Sequence, residues 1–212
     1  MTVDAGAESL ALLPQRAAYW ARRRTLFVAD VHLGKAASFR RAGIPIPRGS
    51  TNDTLDRLAA TVALCAAERL VVLGDLVHDA TARDAAQTVF LDWRARHAAL
   101  DVLLVGGNHD RRSGGLPEVW RVQTVEAPYR LDGFALCHEP QTVAGAYALA
   151  GHVHPGVKLA AGRDRLRLPC FWLQRDGAVL PAFGAFTGLA DIVPAGDDRV
   201  YVAARNRVVP VR

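Results

Sequence analysis

Thr25-Leu26-Phe27-Val28-Ala29-Asp30-Val31-His32 is a short apolar run that ends abruptly in two polar residues. The same shape returns twice downstream. Leu70–Leu73 (LVVL) ends in Gly74-Asp75-Leu76-Val77-His78, and Asp101–Val105 (DVLLV) ends in Gly106-Gly107-Asn108-His109-Asp110. Short apolar runs bounded by glycine and polar residues read as buried strands. Two stretches of helical periodicity separate them. The first starts at Ser50 or Thr51, either of which can cap it, and runs to about Glu68 with Leu55, Leu58, Val62 and Cys65 on one face. The second runs from about Ala82 to His97, with Ala86, Val89, Phe90 and Trp93 on one face. Strand–helix–strand–helix–strand is the pattern of a parallel sheet covered by helices. The polar segment from His32 to about Gly49 reads as a loop.

After Val119 the pattern changes to short strand-like pieces punctuated by Gly, Asp and Pro, as in hairpins. They are Val122–Glu126, Phe134–Cys137, Tyr147–Ala150, Leu166–Leu173, Ala178–Pro181 and Arg199–Ala204; Leu10–Leu13 and Ala17–Trp20 add two more near the start. The fold class expected is α/β, with two packed mixed β-sheets flanked by helices, in one domain over residues 1–212.

Composition narrows the function classes. Half of the residues are hydrophobic, which argues against disorder. The 26 Lys+Arg against 21 Asp+Glu give a net charge of +5, which favours an anionic partner over a cationic one. Only Lys35 and Lys158 are lysines, so the excess is carried by arginine. Cys65, Cys137 and Cys170 are widely separated and form no CxxC pair, so they read as thiols in a reducing compartment. The N-terminus lacks the basic segment of a signal peptide, and no apolar run approaches the ~20 residues that span a bilayer. A cytoplasmic protein without a membrane partner is expected.

The polar residues after the strands form a chemically coherent set. Asp30 and His32, Asp75 and His78, Asn108 and His109, His138, and His152 and His154 hold six of the seven histidines. Sites in open α/β sheets lie beyond the carboxyl ends of the strands, where the first three clusters fall. Asp and His are ligands preferred by borderline divalent metals. Residues two apart on an extended segment point the same way, so Asp30 with His32, and His152 with His154, can share a target. An Asp75 carboxylate has two oxygens and can bridge two ions.

DVH (30–32), GDLVH (74–78), GNHD (107–110), a lone His138 and GHVH (151–154), in this order, resemble the five motifs of the calcineurin-like metallophosphoesterases. The segment DVHLGKAASFRRAGIPIPRGS (30–50) is similar to a narrower bacterial branch, the ligase-associated DNA damage response endonucleases of the PdeM type. LLPQRAAYWARRRTLFVAD (12–30) and PAFGAFTG (181–188) extend that similarity over nearly the whole chain. The resemblance implies two divalent ions, with Mn2+ favoured over Mg2+, Fe2+ or Zn2+. Asp30, His32, Asp75 and His154 would hold the first. Asp75, Asn108, His138 and His152 would hold the second. His109 would be the general acid, with His78 orienting it. Two such ions clamp the attacking and leaving oxygens of an in-line displacement, and an imidazole of ordinary pKa, about 6.5, can protonate the leaving alkoxide.

Substrate contacts are expected from Lys35, Arg40, Arg41 and Arg48 in the loop after the first ligands, and from Arg111 and Arg112 after GNHD. Guanidinium forks match phosphate oxygens. Phe39, Trp20, Trp120 and Trp172 are candidate base-stacking rings, whereas Trp93 sits on an apolar helix face. Asp110 reads as a turn residue without a ligand role, His97 as a residue suited to a helix C-terminus, and Cys137 as a small strand residue. The function expected is a dinuclear-metal phosphodiesterase on DNA, single-stranded or with irregular ends, in bacterial repair. By the same resemblance its partners would be an ATP-dependent DNA ligase, a helicase-like protein and a metallo-β-lactamase-type exonuclease. Two alternatives share the motifs: a phosphohydrolase of a small or lipid-linked nucleotide, and a non-catalytic interaction module of the same fold.

Overall fold

Thr25–Val28, Arg69–Leu73 and Asp101–Val105 lie side by side as parallel strands, as their apolar runs imply. The structure is a computed structural model that describes residues 1–46, 49–161 and 164–212. In chain order its elements are β1 (Thr2–Ala5), β2 (Glu8–Leu13), β3 (Ala17–Trp20), β4 (Thr25–Val28), α1 (Lys35–Arg41), α2 (Ser50–Cys65), β5 (Arg69–Leu73), α3 (Ala80–Arg96), β6 (Asp101–Val105), α4 (Asn108–Arg112) and β7 (Gln123–Val125). Then follow β8 (Tyr129–Leu131), β9 (Phe134–Leu136), β10 (Tyr147–Ala150), β11 (Pro155–Ala161), β12 (Asp164–Leu173), β13 (Gly177–Val179), β14 (Ala190–Asp191), β15 (Arg199–Ala203) and β16 (Val208–Pro210).

One sheet has the order β1-β2-β3-β4-β5-β6-β7, antiparallel from β1 to β4 and parallel from β4 to β7. The other runs β14-β11-β12-β13-β10-β9-β8, with β15 and β16 branching from β12. Its two neighbours β9 and β10 are parallel.

Period-two alternation assigns the two faces of the first sheet. Phe27, Val71 and Leu103 join Phe134, Leu149 and Phe171 in the core between the sheets. Leu26, Val28, Leu70, Val72, Val102 and Leu104 turn the other way, onto Leu55, Leu58 and Val62 of α2 and Ala86, Phe90 and Trp93 of α3. Both faces are buried, so the strands read as unbroken apolar runs. Each fully buried side chain of this size contributes about 1.5–3 kcal/mol. The ring of Trp20 meets Phe134 edge-on at 5.0 Å, linking the sheets. Trp20 and Trp120 are therefore core residues and not the base-stacking rings expected of them. Trp172 is half-buried and donates its indole N–H to Asp198.

The segment expected as a loop contains α1, whose cause is tertiary. Gly34 has φ +76°, and a Cβ there would meet the Ala82 carbonyl oxygen at 2.1 Å. Only glycine lets the chain turn so close to α3. Ser38 then donates to the Asp79 carboxylate, and Arg41 donates to the Thr81 hydroxyl. The cap of α2 is Gly49, at φ +98°, with no side-chain capping bond; Ser50 and Thr51 are already helical. The helix ends at Cys65, before Glu68, because Ala66 turns left-handed. Asp79 caps α3 by accepting from Ala82 N at 2.6 Å, which starts that helix two residues early. His97 caps its other end, stacked on Trp93. Among the described residues no helix is long and apolar enough to cross a membrane.

Candidate metal centre

Five strands deliver the polar clusters to one edge of the molecule. Asp30 and His32 follow β4, Asp75 and His78 follow β5, and Asn108 and His109 open α4 after β6. His138 follows β9, and His152 and His154 follow β10. Backbone bonds tie the returning loops together: Asp30 N donates to Gly74 O, His32 N to Asp75 O, and Gly151 N to His138 O. The two sheets meet at this edge, where Phe183 N donates to Ala29 O at 2.7 Å.

Each carboxylate is held by one oxygen and leaves the other free. Asp30 Oδ2 accepts from His152 N at 2.8 Å, and Asp75 Oδ1 accepts from His109 N at 2.9 Å. Asp30 Oδ1 is buried without a hydrogen-bond partner. It lies 3.5 Å from His154 Nε2, and His154 Nε2 lies 3.4 Å from His32 Nε2. Asp75 Oδ2 lies 3.5 Å from His138 Nε2 and 4.0 Å from both His32 Nε2 and His109 Nε2. It therefore faces both histidine groups. Burial raises the Asp75 carboxyl and strongly lowers the His32 imidazole.

These contacts test whether the residues suit a cation. His138 Nδ1–H donates to Leu73 O at 3.1 Å, which leaves its Nε2 lone pair aimed at Asn108 Oδ1 (2.8 Å) and His152 Nδ1 (3.0 Å). Lone pairs converging inside a protein are repulsive unless a positive charge lies among them. Ligand bonds of about 2.1 Å place neighbouring donor atoms about 3.0 Å apart in an octahedral shell and about 3.4 Å apart in a tetrahedral one. The observed separations match that scale. Among the described residues three groups of donor atoms converge within 4.8 Å, and two of them contain a carboxylate: Asp30 with His32 and His154, and Asp75 with His138 and His152. A third convergence, of His32, His78 and His109, shares His32 and has no carboxylate. The donor set thus suits two divalent ions, with Asp75 between them.

Five of the candidate ligands share an unusual backbone. Among the described residues eleven non-glycine positions have positive φ, and Asp30, His32, Asp75, His152 and His154 are five of them. Gly107 permits a further close approach, since a Cβ there would meet Asp75 Oδ1 at 2.2 Å.

His109 stands at the rim. Its Nδ1–H donates to the backbone carbonyl of His78 at 2.6 Å, and the two rings stack at 4.7 Å. His78 thus touches His109 through its carbonyl and ring face, with no side-chain hydrogen bond between them. Burial, with Lys35 and His109 nearby, pushes the His78 imidazole down to about 4. Asp110, read from the sequence as a turn residue, is the buried third residue of α4. Its oxygens accept from Val77 N (3.1 Å) and Gly107 N (3.0 Å), binding the GDLVH and GNHD loops together.

Burial pushes the Asp110 carboxyl up to about 6. A carboxyl raised on folding stabilises the fold below its unfolded value, near 3.9, and loses that contribution as pH rises through the folded value. Asp110→Asn removes the titration. In urea unfolding of metal-free protein, the wild type is expected to gain on the order of 1–3 kcal/mol relative to this variant between about pH 7 and pH 4. A difference that does not vary with pH contradicts this.

The expected substrate cations are spread differently. Lys35 is half-buried, 5.8 Å from the Phe39 ring centre, where burial lowers its ammonium and Asp30 and Asp75 offset part of that fall. Arg111 donates to Gly106 O, beside a cavity of about 320 Å³ that His138, Glu126 and Glu139 also line. Arg40 reaches the Ile46 carbonyl, Arg41 is engaged by Thr81, and Arg112 is exposed. Arg48 lies outside the described residues. Sequence reasoning did not single out Phe186. This ring is 44% exposed, has φ +58°, and lines a narrow crevice with His32, Lys35 and Ser50.

Residues 23–165 match the family model of the calcineurin-like phosphoesterases. The chain belongs to that family. The metal centre is accordingly that of a metal-dependent hydrolase of phosphate esters. A crystal structure of the Pseudomonas putida nuclease MPE is 44% identical, covering 100% of this chain and 99% of that one, with a TM-score of 0.88. Yfce, a phosphoesterase from E. coli, is 17% identical over 84% of this chain and 86% of that one, with a TM-score of 0.38, too slight a likeness to argue from. No curated protein matches.

Proposed function

We propose that the protein is a dinuclear-metal phosphodiesterase that cleaves DNA, single-stranded or with irregular ends, in bacterial DNA repair. The observation that carries this reading is Asp75 Oδ2, which faces imidazoles of both candidate metal groups at 3.5–4.0 Å. The full-length similarity to a nuclease supports a nucleic acid as the substrate. Asp30, His32, Asp75 and His154 are assigned to one ion, and Asp75, Asn108, His138 and His152 to the other. Divalent ions held by these residues would supply charge neutralisation at the phosphoryl group and an activated water at neutral pH. The protein's residues do the rest. Leu73 O fixes the His138 tautomer, and backbone N–H groups hold each carboxylate. Lys35 attracts the phosphate. His78 O holds His109 Nδ1–H, so that His109 Nε2–H gives its proton to the leaving alkoxide. Mn2+ suits this mixed Asp, Asn and His set best. The chain acts in the cytoplasm, where Cys65, Cys137 and Cys170 stay as free thiols. An ATP-dependent DNA ligase, a helicase-like protein and a metallo-β-lactamase-type exonuclease are its proposed companions.

A panel of ions and substrates tests the reading. Chelated protein is reloaded with Mn2+, Mg2+, Zn2+ or Fe2+ and offered single- and double-stranded DNA, RNA and bis(p-nitrophenyl) phosphate. Mn2+-dependent cleavage of single-stranded DNA in preference to duplex is expected. Turnover confined to the small diester, or faster on RNA, overturns the DNA assignment.

A further inference from the structure

Away from the histidines, three arginines share a cavity of about 290 Å³. Arg16 comes from the β2–β3 turn, Arg57 from α2 and Arg205 from the β15–β16 turn, with Gln15 and Pro169 on the walls. Among the described residues none of the three has an ion-pair partner. Arg57 donates to Phe183 O and lies 4.3 Å from the Phe183 ring centre, and Arg16 donates to Ala182 O at 3.4 Å. Those neutral carbonyls do not balance the charge. Arg57 Nε and Gln15 Oε1 are buried with no partner at all. Burial lowers both the Arg16 and Arg57 guanidiniums, and Arg16 also opposes the charge on Arg57. Arg205 is exposed on the wall of the cavity. Arg16 and Arg57 are unpaired, half-buried cations that repel one another and lack an anion.

The topology places this cavity beside the metal centre. β3 and β4 pair Ala18 with Phe27, so Arg16 stands at the end of β4 that leads into Asp30. β11 and β12 pair Gly156 with Pro169, two residues beyond His154. The carbonyls of Ala182 and Phe183 accept from Arg16 and Arg57, while Ala185 and Phe186, two and three residues further on, border the crevice of His32 and Lys35. From Ser50 at the crevice to Arg57 is about 10 Å along α2.

We infer that Arg16, Arg57 and Arg205 form a second phosphate site, which holds a backbone phosphate of the DNA strand a few nucleotides from the one being cleaved. This rests on the DNA reading above. The ligand chemistry is a phosphate group, and a free phosphate ion is the competing source. Phosphate oxygens match the guanidinium forks.

The test uses metal-loaded full-length protein carrying His109→Ala so that the oligonucleotide stays intact, with and without Arg16→Gln/Arg205→Ala, which leaves the Arg57 contacts in place. A fluorescent single-stranded oligonucleotide is titrated at several salt concentrations, without turnover as the readout. The variant is expected to bind about tenfold more weakly. Its slope of log K against log salt should be shallower by about 0.7, the value for one phosphate that is no longer neutralised. Unchanged oligonucleotide affinity and slope overturn the inference. So does protection of the wild type but not the variant by inorganic phosphate, if oligonucleotide binding is equal in both; the site then serves free phosphate. Hydrolysis of bis(p-nitrophenyl) phosphate, too small to span both sites, reports the metal chemistry separately. If wild type cleaves neither that diester nor DNA the proposed function fails, while the binding comparison still decides the phosphate site.

Discussion

His109→Ala is expected to keep its metal and lose turnover on DNA by about 10²- to 10⁴-fold, the usual worth of a general acid. His109 lies at the rim. Its Nε2 is 4.0 Å from Asp75 Oδ2, and its Nδ1 is committed to His78 O. Removing the ring leaves both candidate donor groups intact, because the bond that holds Asp75 Oδ1 comes from the His109 backbone N–H. Metal content measured by mass spectrometry should therefore match wild type. The loss should depend on the leaving group. A DNA alkoxide needs a proton as it departs, whereas nitrophenolate is stable without one. The variant should retain far more of its activity on bis(p-nitrophenyl) phosphate than on an oligonucleotide. Equal loss on both would reassign His109 to holding the phosphate, and normal turnover would remove it from the reaction.

Asp75→Ala is expected to empty both positions at once. Its free oxygen faces His32 on one side and His138 on the other. Metal content should fall below one ion per chain, and activity should drop beyond detection. Metal added at about a hundredfold excess over its Kd stabilises a protein by about 2.7 kcal/mol, and that rise in melting temperature should vanish. The metal-free fold should change little. Burial raises the Asp75 carboxyl, so its ionised form weakens the empty fold near neutrality. Relief of that strain offsets the absence of the bond from His109 N, leaving a difference within about 1 kcal/mol. A variant that still binds two ions would show that Asp75 is not shared.

The central strands are legible in the sequence because burial on both faces leaves an uninterrupted apolar signature. The polar residues after them stand out because such runs rarely end in histidine and aspartate. α1 is not legible: KAASFRR is short, and its start depends on Gly34 fitting against Ala82, a contact distant in sequence. Asp110 misleads for a similar reason, since the Val77 N–H that it accepts belongs to another loop. The arginines divide. Lys35 flanks the centre, whereas Arg41 serves α3. Arg16, Arg57 and Arg205 are scattered along the chain, and only the meeting of two sheets brings them to one cavity.

The left-handed backbone at Asp30, His32, Asp75, His152 and His154 bears on how this protein would evolve under selection in the laboratory. Each such residue holds a conformation that disfavours an L side chain by about 1 kcal/mol and that glycine accepts readily. A screen for heat resistance without metal would reward glycine at His152 and His154, whose side chains, unlike the carboxylates of Asp30 and Asp75, hold no backbone N–H, and would erode the centre while the fold improved. Selection in the presence of the ion would reverse the ranking, because only the original side chains gain from binding. Thermostability and metal occupancy must therefore be selected together.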